Sequence, residues 1–350
     1  MSEPKQSLPL GSLALIAVIV GVVALAFAYT AGWFSPERIS PAKLIDAFTP
    51  PGGKPPLGHR RNHAKGICFT GTFEANGAGT ELSRAQVFVR GSYPVLGRFN
   101  LATPDPNAAD PTVRVRGVGV RFTTPDGQQW RSAMIDAPFF PVSTPQEFYG
   151  LLTAQQSADP NVIKTFVAAH PTVAAFLGWL RGAQWTSSYA EDRFNSINSF
   201  VFVAASGKEQ VVRWSLKPMA QPVFLSADER AKRGRDFLEQ DITQRVRSAP
   251  QRWSLVVTLA NPQDPTADPT KAWPDDRRTI DAGTLVARQI EAEPNAPCRD
   301  INFDPTVLPT GIQTSDDPFP AARSAAYSVS FNRRTAEADS YPRTQSGAKP

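Results

Sequence analysis

Histidine is scarce in this chain: three occur in 350 residues, beside two cysteines and three methionines. So few histidines exclude a multi-histidine metal centre. Two cysteines exclude both a disulfide-rich scaffold and a four-thiolate zinc site. An excess of one charge is also missing, since 37 Lys and Arg stand against 32 Asp and Glu for a net +5. No basic run is interleaved with aromatics, so no nucleic-acid partner is expected. Glycine is outnumbered by proline, 23 to 33. A proline in a helix interior costs about 3 kcal/mol, which rules out a bundle of long helices. What remains is an all-β or α+β body with stiffened connections.

One long apolar run is present, at the N-terminus. Leu8 to Phe34 contains no charged side chain, and about 20 apolar residues span a bilayer whereas a signal-peptide core has about 7–15. The length favours an uncleaved membrane anchor over residues 1–34, with Tyr29 and Trp33 at its interfacial end. Ala26-Phe27-Ala28 keeps a cleaved secretory signal open as the alternative. Lys5 precedes the run and Arg38 and Lys43 follow it, so charge decides orientation poorly. An inward N-terminus with an exported, periplasmic body is the expectation. Residues 35–56 read as a linker with a short helix from Pro41 to Phe48, and residues 335–350 as a loose tail.

Between them the pattern is mostly period two. GICFTGTFEA, AQVFVRG, VRVRGVGVRF, AMIDAPFFPV, SFVFVAASGKEQVVRWSLKP and WSLVVTLA alternate as half-buried strands do. Thr124-Pro125-Asp126-Gly127 and Ser206-Gly207 carry turn chemistry. A last pair of strands is expected near 284–292 and 299–303. Helices are expected at Pro145–Leu152, Asn161–Leu180, in ADERAKRGRDFLEQDITQRV behind the N-cap Ser226, and around Pro318–Tyr327. Uninterrupted strands with inserted helices give the fold class: α+β, one antiparallel β-barrel with inserted and C-terminal helices.

Several residues are candidates for chemistry. His63, in Arg60-Arg61-Asn62-His63-Ala64-Lys65-Gly66, sits just before a strand. Tyr327 follows Arg323 by four residues, which puts both on one helix face. There a guanidinium stabilises a phenolate, or the two form a plain cation–π pair. Arg98 and Arg334 flank apolar segments.

Together these segments resemble the haem catalase superfamily, in particular its small catalase-related peroxidases. Arg60-x-x-His63-Ala64-Lys65-Gly66 is similar to the distal-histidine motif and Gly97-Arg98-Phe99 to the next segment. Arg116-Gly117-x-x-Val120-x-Phe122 with Pro125-Asp126-Gly127, and Asn261-Pro262 through Trp273-Pro274, also follow the family pattern. Phe303-Asp304-Pro305, Pro309-x-Gly311-Ile312 and Arg323-x-x-x-Tyr327 complete it. The likeness covers residues 57–334 in order and implies one haem-binding domain there.

The resemblance implies haem b as cofactor, with Tyr327 as the axial ligand of iron and Arg323 holding its phenolate. It implies His63 as acid–base catalyst on peroxide, and Arg60, Arg98 and Arg334 as partners of the haem propionates. Phe139, Phe140 and Met134 fall where the distal pocket is expected. Catalases carry an asparagine before their double phenylalanine. Alignment on Phe139-Phe140 puts Met134 or Ile135 there, with only Asp136 polar nearby. The expected activity is therefore a peroxidase using hydrogen peroxide or organic hydroperoxides and a small-molecule electron donor, with weak catalase activity. The alternatives are a small catalase and a haem-binding barrel without turnover. A homodimer is the expected assembly, and pairing of Cys68 with Cys298 is left open.

Overall fold

The computed structural model describes residues 10–30 and 39–343 and divides into two units between Ser40 and Pro41. The first unit holds helix α1 (Leu10–Thr30), with no charge in either terminal turn. At 1.5 Å per residue it is about 30 Å long, the thickness of a bilayer's hydrocarbon core. Gly11–Thr30 has a mean hydropathy of 2.6 and is a candidate membrane span. The expectations for Lys5, Trp33 and Arg38 lie outside the described residues.

The second unit contains twelve strands among the described residues. They are β1 (Gly66–Ala75), β2 (Gly91–Leu101), β3 (Arg116–Thr123), β4 (Gln129–Ile135), β5 (Trp185–Thr186), β6 (Phe194–Asn195), β7 (Phe200–Val203), β8 (Glu209–Pro218), β9 (Phe224–Leu225), β10 (Gln251–Leu259), β11 (Thr279–Glu291) and β12 (Ile312–Thr314). Its helices are α2 (Pro41–Asp46), α3 (Pro145–Gln155), α4 (Pro160–Ala169), α5 (Pro171–Gly182), α6 (Ala227–Ala231), α7 (Phe237–Ser248) and α8 (Phe319–Ala336). Hydrogen bonding runs in the order β10-β11-β1-β2-β3-β4-β6-β8, and β8 pairs back onto β10. Eight strands thus close a ring of antiparallel pairs. The expected antiparallel barrel is present, and closure removes its exposed sheet edges.

Alternation in β1 sends Phe69 and Phe73 into a fully buried aromatic core with Phe99, Phe122, Trp130 and Trp253. Phe69 lies across from Gly97 in the β1–β2 register, and a Cβ on Gly97 would come within 2.1 Å of the Phe69 ring. Glycine is required there because the ring occupies the space. The seam between β4 and β6 is narrow, a single pair of Ile135 with Asn195. Helices α3 to α5 leave the barrel between these two strands.

The structure departs from the sequence expectations in several places. The long helix over Asn161–Leu180 is broken at His170-Pro171, and its halves meet at 107°. A residue before proline is pushed out of the helical region, and His170 sits at φ −125, ψ 82. The helix behind Ser226 is interrupted between Ala231 and Phe237, around Gly234. AQVFVRG forms a short 3-10 turn, Gln86–Phe88, and not a strand. No strand forms at 299–303, where a 3-10 turn spans Pro297–Asp300. Part of the expected linker belongs to the body, since α2 buries Leu44 and Ile45. The terminal helix runs on to Ala336, and the start of the expected tail packs as well: Glu337 pairs with Arg61, and Tyr341 stacks on His59. Cys68 and Cys298 form a disulfide that ties β1 to the segment after β11.

Candidate active site

A cavity of about 210 Å³ opens between the barrel wall and α8. His63, Arg60, Arg98, Met134, Phe140, Arg323, Tyr327 and Arg334 all line it. Phe139 does not. It packs edge-on against Phe176 of α5, 6.0 Å between centroids.

On the barrel side, His63 is one of two non-glycine residues with positive φ among the described residues, at 54°. Such a conformation costs of order 1–3 kcal/mol and persists only when its surroundings hold it. Arg98, 1% exposed, supplies the hold. It donates to the carbonyls of His63 (2.8 Å) and Ala64 (3.0 Å) and grips Glu293 with two bonds of 2.7 Å. This occupies most of its N–H groups. The Arg98 expected from resemblance to grip a propionate is here engaged in fixing the backbone of His63.

The His63 ring meets Asn100, with Nδ1 2.6 Å from Oδ1. The Asn100 amide nitrogen donates to the Arg98 carbonyl, so its oxygen faces the imidazole. An amide oxygen only accepts, which puts the proton on Nδ1 and leaves the Nε2 lone pair free. Gly117 makes room for this contact: a Cβ there would sit 2.6 Å from Asn100 Oδ1. Burial, opposed by the Asn100 bond and reinforced by Arg98, Arg323 and Arg60, pushes the His63 pKa down to about 4. At neutral pH it is an uncharged base.

Tyr327 is held on the helix side. Arg323 Nη2 donates to its hydroxyl at 3.0 Å and to the Ala133 carbonyl of β4 at 2.9 Å. Arg323 Nη1 donates to Asn198 Oδ1 at 2.6 Å, and Asn198 Nδ2 donates to buried Asp317 at 3.0 Å. A chain of Asp317, Asn198 and Arg323 thus ends on the phenol. The other positive-φ residue, Ile197, immediately precedes Asn198.

The arginines share one carboxylate. Glu293, 5% exposed, is ion-paired with both Arg98 and Arg60. Burial alone would raise its carboxyl, but Arg98 and Arg60 outweigh that and hold it below the usual range. Arg60 also donates to the carbonyls of Cys298 and Ile301. Arg334 gives one bond to Ile301. Burial and the neighbouring Arg60 outweigh Glu293 and Asp300 and push its guanidinium down to about 8. With Arg323, four cations face one carboxylate. A flat apolar group bearing acidic side chains suits this donor set: apolar walls, a phenol beside an arginine, a neutral imidazole and under-neutralised guanidinia. Haem has that chemistry.

Asn100, Asn198, Glu293 and Asp317 were not expected from the sequence. Asn100 adjoins the quoted Gly97-Arg98-Phe99 stretch and was within reach. The other three have no local pattern that marks them.

A closed antiparallel barrel with a histidine wall and a tyrosine-bearing helix defines a class of haem protein, and comparison with known proteins narrows it. The family model described as Catalase matches residues 56–340. The chain is 32% identical over 330 residues to a catalase-related peroxidase of Synechococcus elongatus, covering 93% of this chain and 95% of that protein. It is 33% identical over 300 residues to a catalase-related peroxidase of Mycolicibacterium paratuberculosis, covering 85% and 95%. Its fold is similar to catalase A of Saccharomyces cerevisiae, with a TM-score of 0.70 at 20% identity, covering 79% of this chain and 61% of that one. A fungal catalase structure gives the same score, with 59% of its chain covered. The chain belongs to the catalase family.

Proposed function

We propose that this chain is a haem b-dependent peroxidase that reduces hydrogen peroxide or organic hydroperoxides at the expense of a small organic donor. One observation carries the reading. A neutral histidine with a free Nε2 and a tyrosine bonded to an arginine share one cavity. Tyr327 would hold the iron, and Arg60 and Arg334 would hold the propionates. Bound in this way, haem supplies the redox chemistry that O–O cleavage requires. His63 Nε2 accepts a proton from one peroxide oxygen and returns it to the leaving oxygen, which departs as water or alcohol. Arg323 keeps the Tyr327 oxygen an acceptor by donating to it. Met134, 3% exposed, offers no hydrogen bond to a second peroxide, which favours peroxidase turnover over disproportionation. The apolar Gly11–Thr30 segment supports a membrane anchor with the catalytic body on the exported side, or a cleaved signal.

The visible spectrum of the purified protein tests the haem assignment. A Soret band with a 1:1 haem-to-protein ratio is expected, and Tyr327→Phe should lower haem retention more than tenfold. A colourless protein that cannot be reconstituted with haem overturns it. Rapid oxygen release without oxidation of a phenolic dye would favour a small catalase.

A further inference from the structure

Outside α1, six large hydrophobic residues are strongly exposed among the described residues, and three of them fall within six positions: Met219 (58%), Val223 (55%) and Phe224 (47%). The others, Leu57, Val89 and Val162, are scattered in sequence. Half of them thus lie in one connection.

This connection is held firmly. The Val223 N–H donates to the buried carboxylate of Glu191 at 3.0 Å, and the Val223 carbonyl accepts from Ser187 at 2.8 Å. Phe224 and Leu225 form β9 against Thr186 and Trp185 of β5. Met219 N–H donates to the Arg252 carbonyl. Both backbone groups of Val223 and the N–H of Met219 are thus satisfied within the protein. That matters for an apolar phase, where an unpaired N–H or carbonyl is costly.

The flanks carry the complementary signal. Residues 217–235 hold five basic side chains, Lys217, Arg230, Lys232, Arg233 and Arg235, against two acidic ones, Asp228 and Glu229. The difference, five minus two, is +3 in 19 residues, while the whole chain carries +5. Lys217, Lys232, Arg233 and Arg235 are exposed. Arg230 lies over the Trp185 ring at 4.1 Å, an aromatic–cation pair suited to a headgroup layer. Apolar residues beside exposed basic ones form the surface that binds anionic bilayers. Only ten residues separate Thr30 from Pro41, a reach of at most about 35 Å. If α1 is anchored, the linker keeps the body as a whole at high effective concentration beside the bilayer, whichever face it presents.

We infer that the 217–235 connection is a second membrane contact, in which Met219, Val223 and Phe224 enter the headgroup layer of an anionic bilayer. The inference rests on the reading of Gly11–Thr30 as a membrane segment. The test uses the full chain in vesicles of phosphatidylcholine alone or mixed with phosphatidylglycerol, with a nitroxide label on Val223→Cys. The two native cysteines are paired, so the label has one target. In anionic vesicles the label should be at least tenfold more accessible to oxygen than to a nickel chelate. Phe224→Asp or Arg233→Glu should reverse this while leaving the Soret band and thermal midpoint unchanged. A label equally wet in both vesicle types overturns the inference. So does shielding that grows with protein density and brings spin–spin broadening, because a second copy then covers the patch. Alkaline carbonate extraction scores the anchor separately. If the chain is stripped from the vesicles, the anchor reading fails, and flotation of the stripped protein with anionic vesicles decides the patch alone.

Discussion

His63 and Tyr327 line one cavity, yet their surroundings are built by opposite rules. Around His63 the neighbours are a neutral amide and nearby guanidinia, and burial drives the ring to its uncharged form. Around Tyr327 a guanidinium donates directly to the phenol oxygen, backed by Asn198 and Asp317. One residue becomes a base because its charged form is excluded. The other keeps an acceptor oxygen beside a cation that donates to it. The barrel side holds the left-handed His63, clamped by a buried ion pair; Tyr327 sits in ordinary α-helix with an i,i+4 pair, though its support Asn198 follows the left-handed Ile197. Proton transfer needs a position fixed within hydrogen-bond reach, and the clamp on the His63 backbone supplies it.

The comparison breaks most severely at His63 itself. His63→Ala should lower the rate of peroxide consumption by about 10²–10⁴ while the haem content stays within twofold of wild type, as stopped-flow and haem extraction can show. Equal loss of haem would mean that His63 is structural. The clamp comes next. Glu293→Gln leaves Arg98 and Arg60 buried without their carboxylate, and such a break costs about 3–5 kcal/mol. Urea unfolding should show this loss, and the His63 backbone should relax. An unchanged midpoint would mean that other groups neutralise the arginines.

The pH dependence separates the two sides further. The folded His63 pKa, about 4, lies below its ordinary 6.5. The stability linked to its neutral form is therefore complete above pH 6.5 and is lost as pH falls toward 4. The base is likewise available until pH falls through about 4. Peroxide consumption should stay flat from neutral pH down to about 5 and fall below that. A midpoint near 6.5 would show an imidazole open to water.

What could be read from the sequence depends on distance along the chain. Strand β1 was legible because a half-buried strand alternates locally, and Arg323 with Tyr327 because helical spacing is local too. AQVFVRG alternates equally well but turns into a 3-10 segment, since the pattern cannot tell which alternating stretch finds a partner strand. Glu293 lies in a Pro-rich loop where any carboxylate reads as solvated; Arg98 reaches it across 195 positions. Asn198 meets Arg323 across 125 positions, with no periodicity to announce it. The break at His170-Pro171 was readable from the proline itself. The resemblance supplied roles for His63 and Tyr327, but the task of Arg98 emerged only from its contacts.

The mildest way to sharpen the contrast is to give the barrel side the electrostatics of the helix side. Asn100→Asp keeps the shape but replaces a neutral acceptor with an anion 2.6 Å from Nδ1. An opposite charge at that distance favours the imidazolium and raises a pKa by about 1–3 units. The acid limb of the rate should move from about pH 4 toward 5–7, and the rate at pH 8 should change by less than about threefold, because the base is still neutral there. Nearby Arg98 opposes the imidazolium, so the lower part of that range is expected. Asn100→Ala is the control: it removes the tautomer lock and a bond that raises the His63 pKa, so the limb should move to lower pH, opposite to Asn100→Asp, and the plateau should fall. If Asn100→Asp leaves the limb in place, the ring is not titrating against residue 100, and the neutrality of His63 is due to burial alone.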